Sequence, residues 1–140
     1  MTTGTTVTRL RLPPHLIVIA GLAVAQAVLG LLRAVQLVRF GRDLFGRGLL
    51  IMPAVGVLTI ARGALVAGIA ILYLVFAWGA LKHRRWASRV GLVAALLNGF
   101  AVLDTLIAGE PAVQALPWVI VPVVLLLYLL SPAGSRAVGR

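Results

Sequence analysis

The stretch "LVAGIAILYLVFAWGALKHRRWASRVGLVAALLN" (residues 65–98) decides the fold of this chain. Two long apolar runs flank one short segment, and that segment carries nearly all the charge of the stretch. The charged or titratable residues of the segment are Lys82, His83, Arg84, Arg85 and Arg89. This pattern is typical of two membrane-spanning helices joined by a short basic connection.

Composition extends this interpretation to the whole chain of 140 residues. Hydrophobic residues make up 61% and charged residues only 11%, with a mean hydropathy of +1.09. A water-soluble domain of this length needs a polar surface that these residues cannot supply. The length predicts a single membrane domain over residues 1–140. The chain has no cysteine, which excludes disulfides and thiolate chemistry.

Four apolar runs are long enough to cross the hydrocarbon core, which needs about 20 residues each. They are residues 16–38, 63–81, 88–108 and 112–131. Backbone polar groups find no water in that core, so each run should be helical. The sequence therefore predicts an all-α bundle of four transmembrane helices.

The first connection, "RFGRDLFGRGLLIMPAVG" (residues 39–56), has a different character. Phe40 and Leu44 share a helical face, which predicts a short interfacial helix on the outer membrane surface. Gly41, Gly46 and Gly48 weaken any helix here, so an irregular loop among the headgroups is the alternative.

The distribution of cations predicts the orientation. With four spans, eight cations fall on the side of the termini and five on the other, where all three acidic residues also lie. The eight are Arg9, Arg11, Lys82, Arg84, Arg85, Arg89, Arg136 and Arg140. Positive charge is retained on the cytoplasmic side. We therefore expect a multi-pass protein of the cell membrane with both termini in the cytoplasm.

Two spans carry seams of small residues at helical spacing. The first seam is Ala20, Ala23, Ala27, Gly30 and Ala34, and the second is Ala87, Gly91, Ala94, Asn98, Ala101 and Thr105. Small residues let membrane helices approach closely, so both seams are expected to face the bundle interior. The second span has two similar pairs, Gly63 with Ala67 and Ala64 with Gly68.

Polar residues within the spans form two predicted layers. Gln26, Tyr73 and Asn98 lie near the middle of their spans and need partners there, and a Gln26–Asn98 hydrogen bond is the first pair expected. Arg33 and Asp104 lie about 10 Å further out, at equal height, and are a candidate ion pair. Asp104 lies about 120° around its helix from Asn98, so a single rotation of that helix does not favour both contacts.

Three roles stay open for this outer layer: a structural ion pair, an Arg33 side chain that extends to the surface, and a transport or ligand site.

The basic connection has its own candidate role. Lys82, Arg84, Arg85 and Arg89 are candidate contacts for anionic headgroups, each contributing about 1 kcal/mol, and simple topology is the alternative. His15 and His83 lie at the membrane boundary and do not project into the bundle, so no haem, metal or other cofactor is expected. Nucleic acid is not expected as a partner, because the net charge of +10 is explained by orientation.

No pattern in the chain indicates an enzyme. The three acidic residues are scattered, no phosphate loop is present, and Asp104 is predicted on the opposite side from both histidines. No catalytic residue is predicted.

The segments "FAWGALKHRRWASRVGLVAALLN" and "LLLYLLSPAGSRAVGR" resemble a widespread group of small bacterial membrane proteins with four spans. That group has a W-G-L-x-x-x-R-x-W-A-like second connection and a Y-L-x-x-P-x-x-R-like tail. Trp78, Gly79, Trp86, Tyr128 and Pro132 fit these elements, whereas Val138 stands where the tail usually has an aromatic residue. The resemblance covers residues 70–140 and implies a fold and a location, without an activity.

Three functional hypotheses follow. The leading one is a non-enzymatic accessory or scaffold subunit that acts by helix–helix contacts, in a homo-oligomer or with other membrane subunits, surrounded by membrane lipids. The alternative is a small transporter or channel that uses Gln26, Arg33, Asn98 and Asp104. The third is a protein that binds anionic lipid through the basic connection. A cavity that reaches Asp104 would favour transport, and a dry bundle with an outward small-residue groove would favour the subunit.

Overall fold

A computed structural model describes residues 14–46, 52–107, 109 and 112–137 of the chain. All secondary structure in these ranges is helical, which confirms the predicted all-α class. The helices are α1 (Pro14–Phe45), α2 (Met52–Leu81), α3 (Ala87–Ile107), α4 (Ala112–Leu130) and the short α5 (Pro132–Ala137).

Three of these helices are long and apolar enough to cross a membrane: α1, the Pro53–Leu81 part of α2, and α3. In α4 the apolar part identified in this way is shorter, Leu116–Leu130. Apolar side chains cover the outside of the bundle, for example Ile17, Phe100 and Leu127, each more than half exposed. Such a surface suits lipid, and the chain is a membrane protein.

Successive helices run antiparallel and have two distinct ends. At the end that we call the basic end, the His15 ring of α1 contacts the Tyr128 ring of α4, and the α2–α3 connection lies here. At the other end, the hairpin end, α1 joins α2 and α3 ends near the start of α4. The position of a residue along its helix therefore shows whether it lies nearer the basic end or the hairpin end.

Glycine brings α1 and α2 into close contact along their length. A side chain added at Gly30 would meet Ala70 at 3.1 Å, and one at Gly41 would meet the Gly56 carbonyl oxygen at 2.9 Å. The whole α1 seam, from Ala20 to Ala34, is buried, which confirms its predicted inward orientation.

The same contact shows that the predicted interfacial helix over residues 39–56 is wrong. Residues 39–45 continue α1, and residues 52–56 already belong to α2. Residues 47–51, including Gly48, lie outside the described residues. Gly41 was expected to weaken a helix, yet its missing side chain is what allows the Gly56 backbone to approach.

The basic connection is a compact helix-ending turn. The His83 and Arg84 amides donate to the Ala80 and Gly79 carbonyls at 3.1 and 2.9 Å, and His83 has a φ of 50°. This hydrogen-bond pattern is the Schellman motif, whose left-handed position glycine usually occupies. His83 therefore ends α2, which is a structural role.

The half of the bundle nearer the basic end is tightly packed. Leu16, Tyr73, Phe76 and Leu125 are the largest fully buried side chains, one from each of α1 and α4 and two from α2. On α3, Gly91 faces the Phe76 ring closely enough that a methyl group there would collide with it. Residues of the α3 seam are buried or half-buried, as predicted: Ala87, Gly91, Ala94, Asn98, Ala101 and Thr105.

Candidate functional site

A pocket with both charged and apolar walls opens between the helices in the half of the bundle nearer the hairpin end. Its volume is about 70 Å³, and it is partly open to the outside. The polar or aromatic side chains that line it are Arg33, Arg62, Asn98, Asp104, Thr105 and Trp118. We call this space the arginine pocket. It reaches Asp104, which is the feature that the sequence made a criterion for the transport hypothesis.

Asp104 forms its ion pair with Arg62 of α2, with 3.0 Å between the guanidinium nitrogen and the carboxylate oxygen. The predicted Arg33–Asp104 pair is therefore wrong in its partner. Asp104 lies about 120° around α3 from Asn98, and that angle turns it towards α2. Arg62 was missed because the second span was predicted to begin at Gly63, whereas α2 begins eleven residues earlier, at Met52.

Arg33 lies on the opposite wall of the pocket, against α4. Its guanidinium carbon is 5.3 Å from the centre of the Trp118 ring, within the range of a cation–π contact. Both side chains are half-buried. Contact with the aromatic face orients the guanidinium plane, and the N–H donors lie along the edge of that plane.

Asn98 closes the pocket towards the middle of the bundle. Its side-chain amide donates to the backbone carbonyl of Trp118 at 3.0 Å. That carbonyl would normally accept the amide of residue 122, which is Pro122 and has no N–H. Asn98 thus satisfies a carbonyl that the proline leaves without its helical partner, as a membrane interior requires.

The predicted Gln26–Asn98 hydrogen bond is consequently absent from the described contacts, although the predicted layer exists. Gln26, Tyr73 and Asn98 line one small cavity of about 10 Å³ directly below the arginine pocket. The Tyr73 hydroxyl lies within reach of the Asn98 side chain there, and the Gln26 side-chain oxygen is buried without a hydrogen-bond partner among the described residues. Depth along the spans thus predicted which residues line the same cavity, but not which hydrogen bonds they form.

A second, larger space runs along the outside of α1 beside α4. We call it the lateral groove, and it measures about 680 Å³. It is lined by Leu29, Leu32, Arg33, Gln36, Leu37, Phe40 and Trp118. Arg33, Leu37 and Trp118 also line the arginine pocket, so the two spaces meet at these three residues.

The predicted headgroup contacts of the basic connection lie together on the surface at the basic end. Lys82, Arg84, Arg85 and Arg89 are all exposed. The Lys82 ammonium lies 4.5 Å from the centre of the Trp78 ring, which in turn contacts the Trp86 ring. This cluster is far along the bundle from the arginine pocket and forms a separate cationic surface.

The arginine pocket combines charged and neutral polar side chains. Among the described lining residues, the carboxylate of Asp104 is engaged by Arg62, and the other polar groups are guanidinium, amide, hydroxyl and indole. Over the described ranges, no three His, Asp or Glu side chains come together as metal ligands would. Two guanidinium groups line this one cavity, and guanidinium N–H donors match the paired oxygens of phosphate and carboxylate groups.

Fold and site together define a class, a helical membrane bundle with a one-sided cationic pocket. Comparisons of the chain with protein-family models, curated protein sequences and solved structures each find no match.

Proposed function

We propose that the chain is a four-span protein of the cell membrane, with both termini cytoplasmic, that binds an anionic group in the arginine pocket without transforming it. The observation that carries this proposal is the pocket itself, where the guanidinium groups of Arg33 and Arg62 line one cavity between the helices. The length of α4, 19 residues or about 28 Å, supports a fourth crossing of a core of about 30 Å.

Packing below the pocket supports binding at one side rather than conduction through the bundle. Towards the basic end, the space narrows to the small cavity beside Asn98 and then meets the fully buried Tyr73 and Phe76 side chains. A conducting pore would need a polar path past these rings. The pocket is therefore proposed as a binding site that opens towards the hairpin end.

A fluorescence titration with inorganic phosphate tests this proposal. The protein is reconstituted in zwitterionic nanodiscs with Trp78→Phe and Trp86→Phe, so that Trp118 beside Arg33 is the remaining tryptophan. Phosphate should produce a saturable change in Trp118 emission that Arg33→Gln removes. Arg89→Gln, in the exposed basic connection, is the matched control and should leave the change intact. An absence of saturation, or an equal response in Arg33→Gln, would overturn the proposal.

A second candidate, scaffolding by helix–helix contact, is favoured by one surface of α2. Ala64 and Gly68 are exposed one turn apart, and the position of a Gly68 side chain has open space around it. We propose that this surface of α2 contacts the same surface of a second copy of the chain, because small residues allow identical helices to approach closely.

The absence of cysteine makes this second candidate easy to test. Ala64→Cys introduces a single thiol, and mild oxidation in native membranes should yield a disulfide-linked dimer. Gly21→Cys, at an equally open position on α1, is the control and should stay monomeric. Equal cross-linking at both positions, or at neither, would contradict a specific contact through α2.

A further inference from the structure

We infer that the basic connection between α2 and α3 binds anionic membrane lipids, at a surface separate from the arginine pocket. The side chains that carry this inference are Arg84, Arg85 and Arg89, all exposed at the basic end. None of the three lines the arginine pocket, so the surface is independent of the proposed function. The ligand is a phospholipid with a net negative charge.

The three arginines have no acidic group of the chain beside them. No Asp or Glu occurs in residues 44–103. Asp43 and Asp104, the acidic residues within the described ranges, both lie towards the hairpin end. Over the described residues, the three guanidinium groups form no ion pair and no cation–π contact. Their positive charge can therefore be matched by a group from outside the chain.

A pair of tryptophan rings places this surface at the membrane boundary. The Trp78 and Trp86 rings contact each other, and both are more than a third exposed. The Trp86 ring also lies against Gly79, where an added side chain would meet it at 2.9 Å. Exposed indole rings prefer the level of the headgroups, so the residues just beyond the end of α2 lie among lipid phosphates. Lys82 contributes differently, because its ammonium is engaged over the Trp78 ring.

The backbone of the connection is held by hydrogen bonds, so the arginine side chains start from defined positions. The Arg84 carbonyl accepts from the Ala87 amide at 2.9 Å, and the Arg85 carbonyl accepts from the Ser88 hydroxyl at 3.2 Å. Arg89 lies in the first turn of α3, where side chains lean towards the helix start and hence towards the basic end. All three arginines can therefore reach one level of the membrane surface.

The chemistry of these groups favours an anionic lipid over a zwitterionic one. Guanidinium N–H donors match the paired oxygens of a phosphate group. In a zwitterionic lipid the phosphate charge is offset by an ammonium group, whereas an anionic lipid keeps its negative charge for the cations of the protein. An acidic protein segment would also match the charge. The exposed indole rings favour lipid, because they keep the arginines at the headgroups.

Quenching of Trp86 by brominated lipid tests this inference. The full chain with Trp78→Phe and Trp118→Phe, which leaves Trp86 as its only tryptophan, is placed in phosphatidylcholine nanodiscs. These contain either brominated phosphatidylglycerol or brominated phosphatidylcholine at equal mole fraction, in both leaflets, so the orientation of the protein does not affect the result. We expect phosphatidylglycerol near Trp86 to exceed its bulk fraction roughly fivefold, the effect of about one cation near a lipid surface.

Two charge variants locate the binding. Arg84→Gln with Arg85→Gln should remove most of the enrichment near Trp86. Arg39→Gln with Arg42→Gln, which removes the same charge from exposed positions towards the hairpin end, is the matched control and should leave the enrichment unchanged. Equal losses in the two variants would overturn the inference. So would equal quenching by the two brominated lipids in the parent protein.

High salt and a competing polyanion complete the test without further substitution. In about 1 M salt, where charges are screened within about 3 Å, the enrichment should largely disappear. Enrichment that persisted would assign the quenching to the indole rings and overturn the inference. Added polyglutamate should leave the enrichment intact, and displacement of the lipid would assign the surface to an acidic protein segment instead. The phosphate titration of Trp118 is a separate measurement, so each proposal can fail while the other stands.

Discussion

The two halves of the bundle use the same four helices in opposite ways. Towards the basic end, small residues on α1 and α3 bring the helices together, and Phe76 and Leu125 fill the remaining space. Towards the hairpin end, α1 and α2 stay in close contact through Gly41 and Gly56, but Arg33 of α1 and Asp104 of α3 line a pocket between the helices. The difference indicates that packing in the half nearer the basic end stabilises the fold. The half nearer the hairpin end can therefore accommodate charged side chains and a pocket.

The largest expected effect comes from the packed half. Phe76→Ala removes a fully buried ring and should lower the free energy of unfolding in mixed micelles by about 3 kcal/mol, because the cavity cannot collapse. Leu37→Ala, at the wall of the arginine pocket, should cost only about 1 kcal/mol, since space already lies beside it. Equal costs would remove the distinction between the halves.

A smaller effect is expected where α1 and α2 continue towards the hairpin end. Gly41→Ala places a methyl group 2.9 Å from the Gly56 carbonyl oxygen, so the two helices must separate, at a cost of about 1–3 kcal/mol. Gly21→Ala has open space and should instead stabilise α1 by roughly 0.5–1 kcal/mol through helix propensity. Both are measured by the same unfolding titration.

The boundary between the halves is tested by Asn98 and Pro122 together. Asn98→Leu leaves the Trp118 carbonyl without its side-chain donor and should cost about 0.6–2 kcal/mol. In a Pro122→Ala background the backbone amide of residue 122 can supply the missing hydrogen bond, so the same substitution should cost less. A double-mutant cycle measures this coupling, and strictly additive costs would contradict the pairing of the amide with the proline site.

The smallest effect is expected at the turn that ends the packed half. His83→Gly should raise the free energy of unfolding by about 1 kcal/mol, because glycine adopts a φ of 50° without the steric cost that a side chain imposes. His83→Ala keeps that cost and should change little. If glycine and alanine both destabilised the protein, the role of His83 would lie in its side chain.

Much of the fold could be predicted from the sequence because membrane constraints are simple. Apolar length predicted the helices, and small-residue spacing predicted which face of α1 and α3 is buried. Glycine misled the prediction at residue 41, since the same residue weakens an isolated helix and permits close contact between two helices. Its effect depends on a neighbour, Gly56, that spacing within one helix cannot identify.

For the candidate site, the sequence predicted only the depth at which each residue lies along its helix. Residues at equal depth, such as Gln26 and Asn98, do line one space, but the partner of each polar group depends on helix rotation. The angle between Asn98 and Asp104 correctly indicated different neighbours, now seen to be α4 and α2. One signal was overlooked: a proline at 122 identifies the carbonyl of residue 118 as the group that needs a donor.

The unequal lengths of the helices couple this protein to the thickness of the bilayer. At 1.5 Å per residue, α1 and α2 are about 48 and 45 Å long, whereas α3 is about 32 Å and matches a hydrocarbon core of about 30 Å. A tilt of about 20° shortens α1 by only about 3 Å, so the α1–α2 pair projects beyond α3. A thicker membrane would draw more of this projection inward, and the depth of Arg33 below the headgroups would change with it.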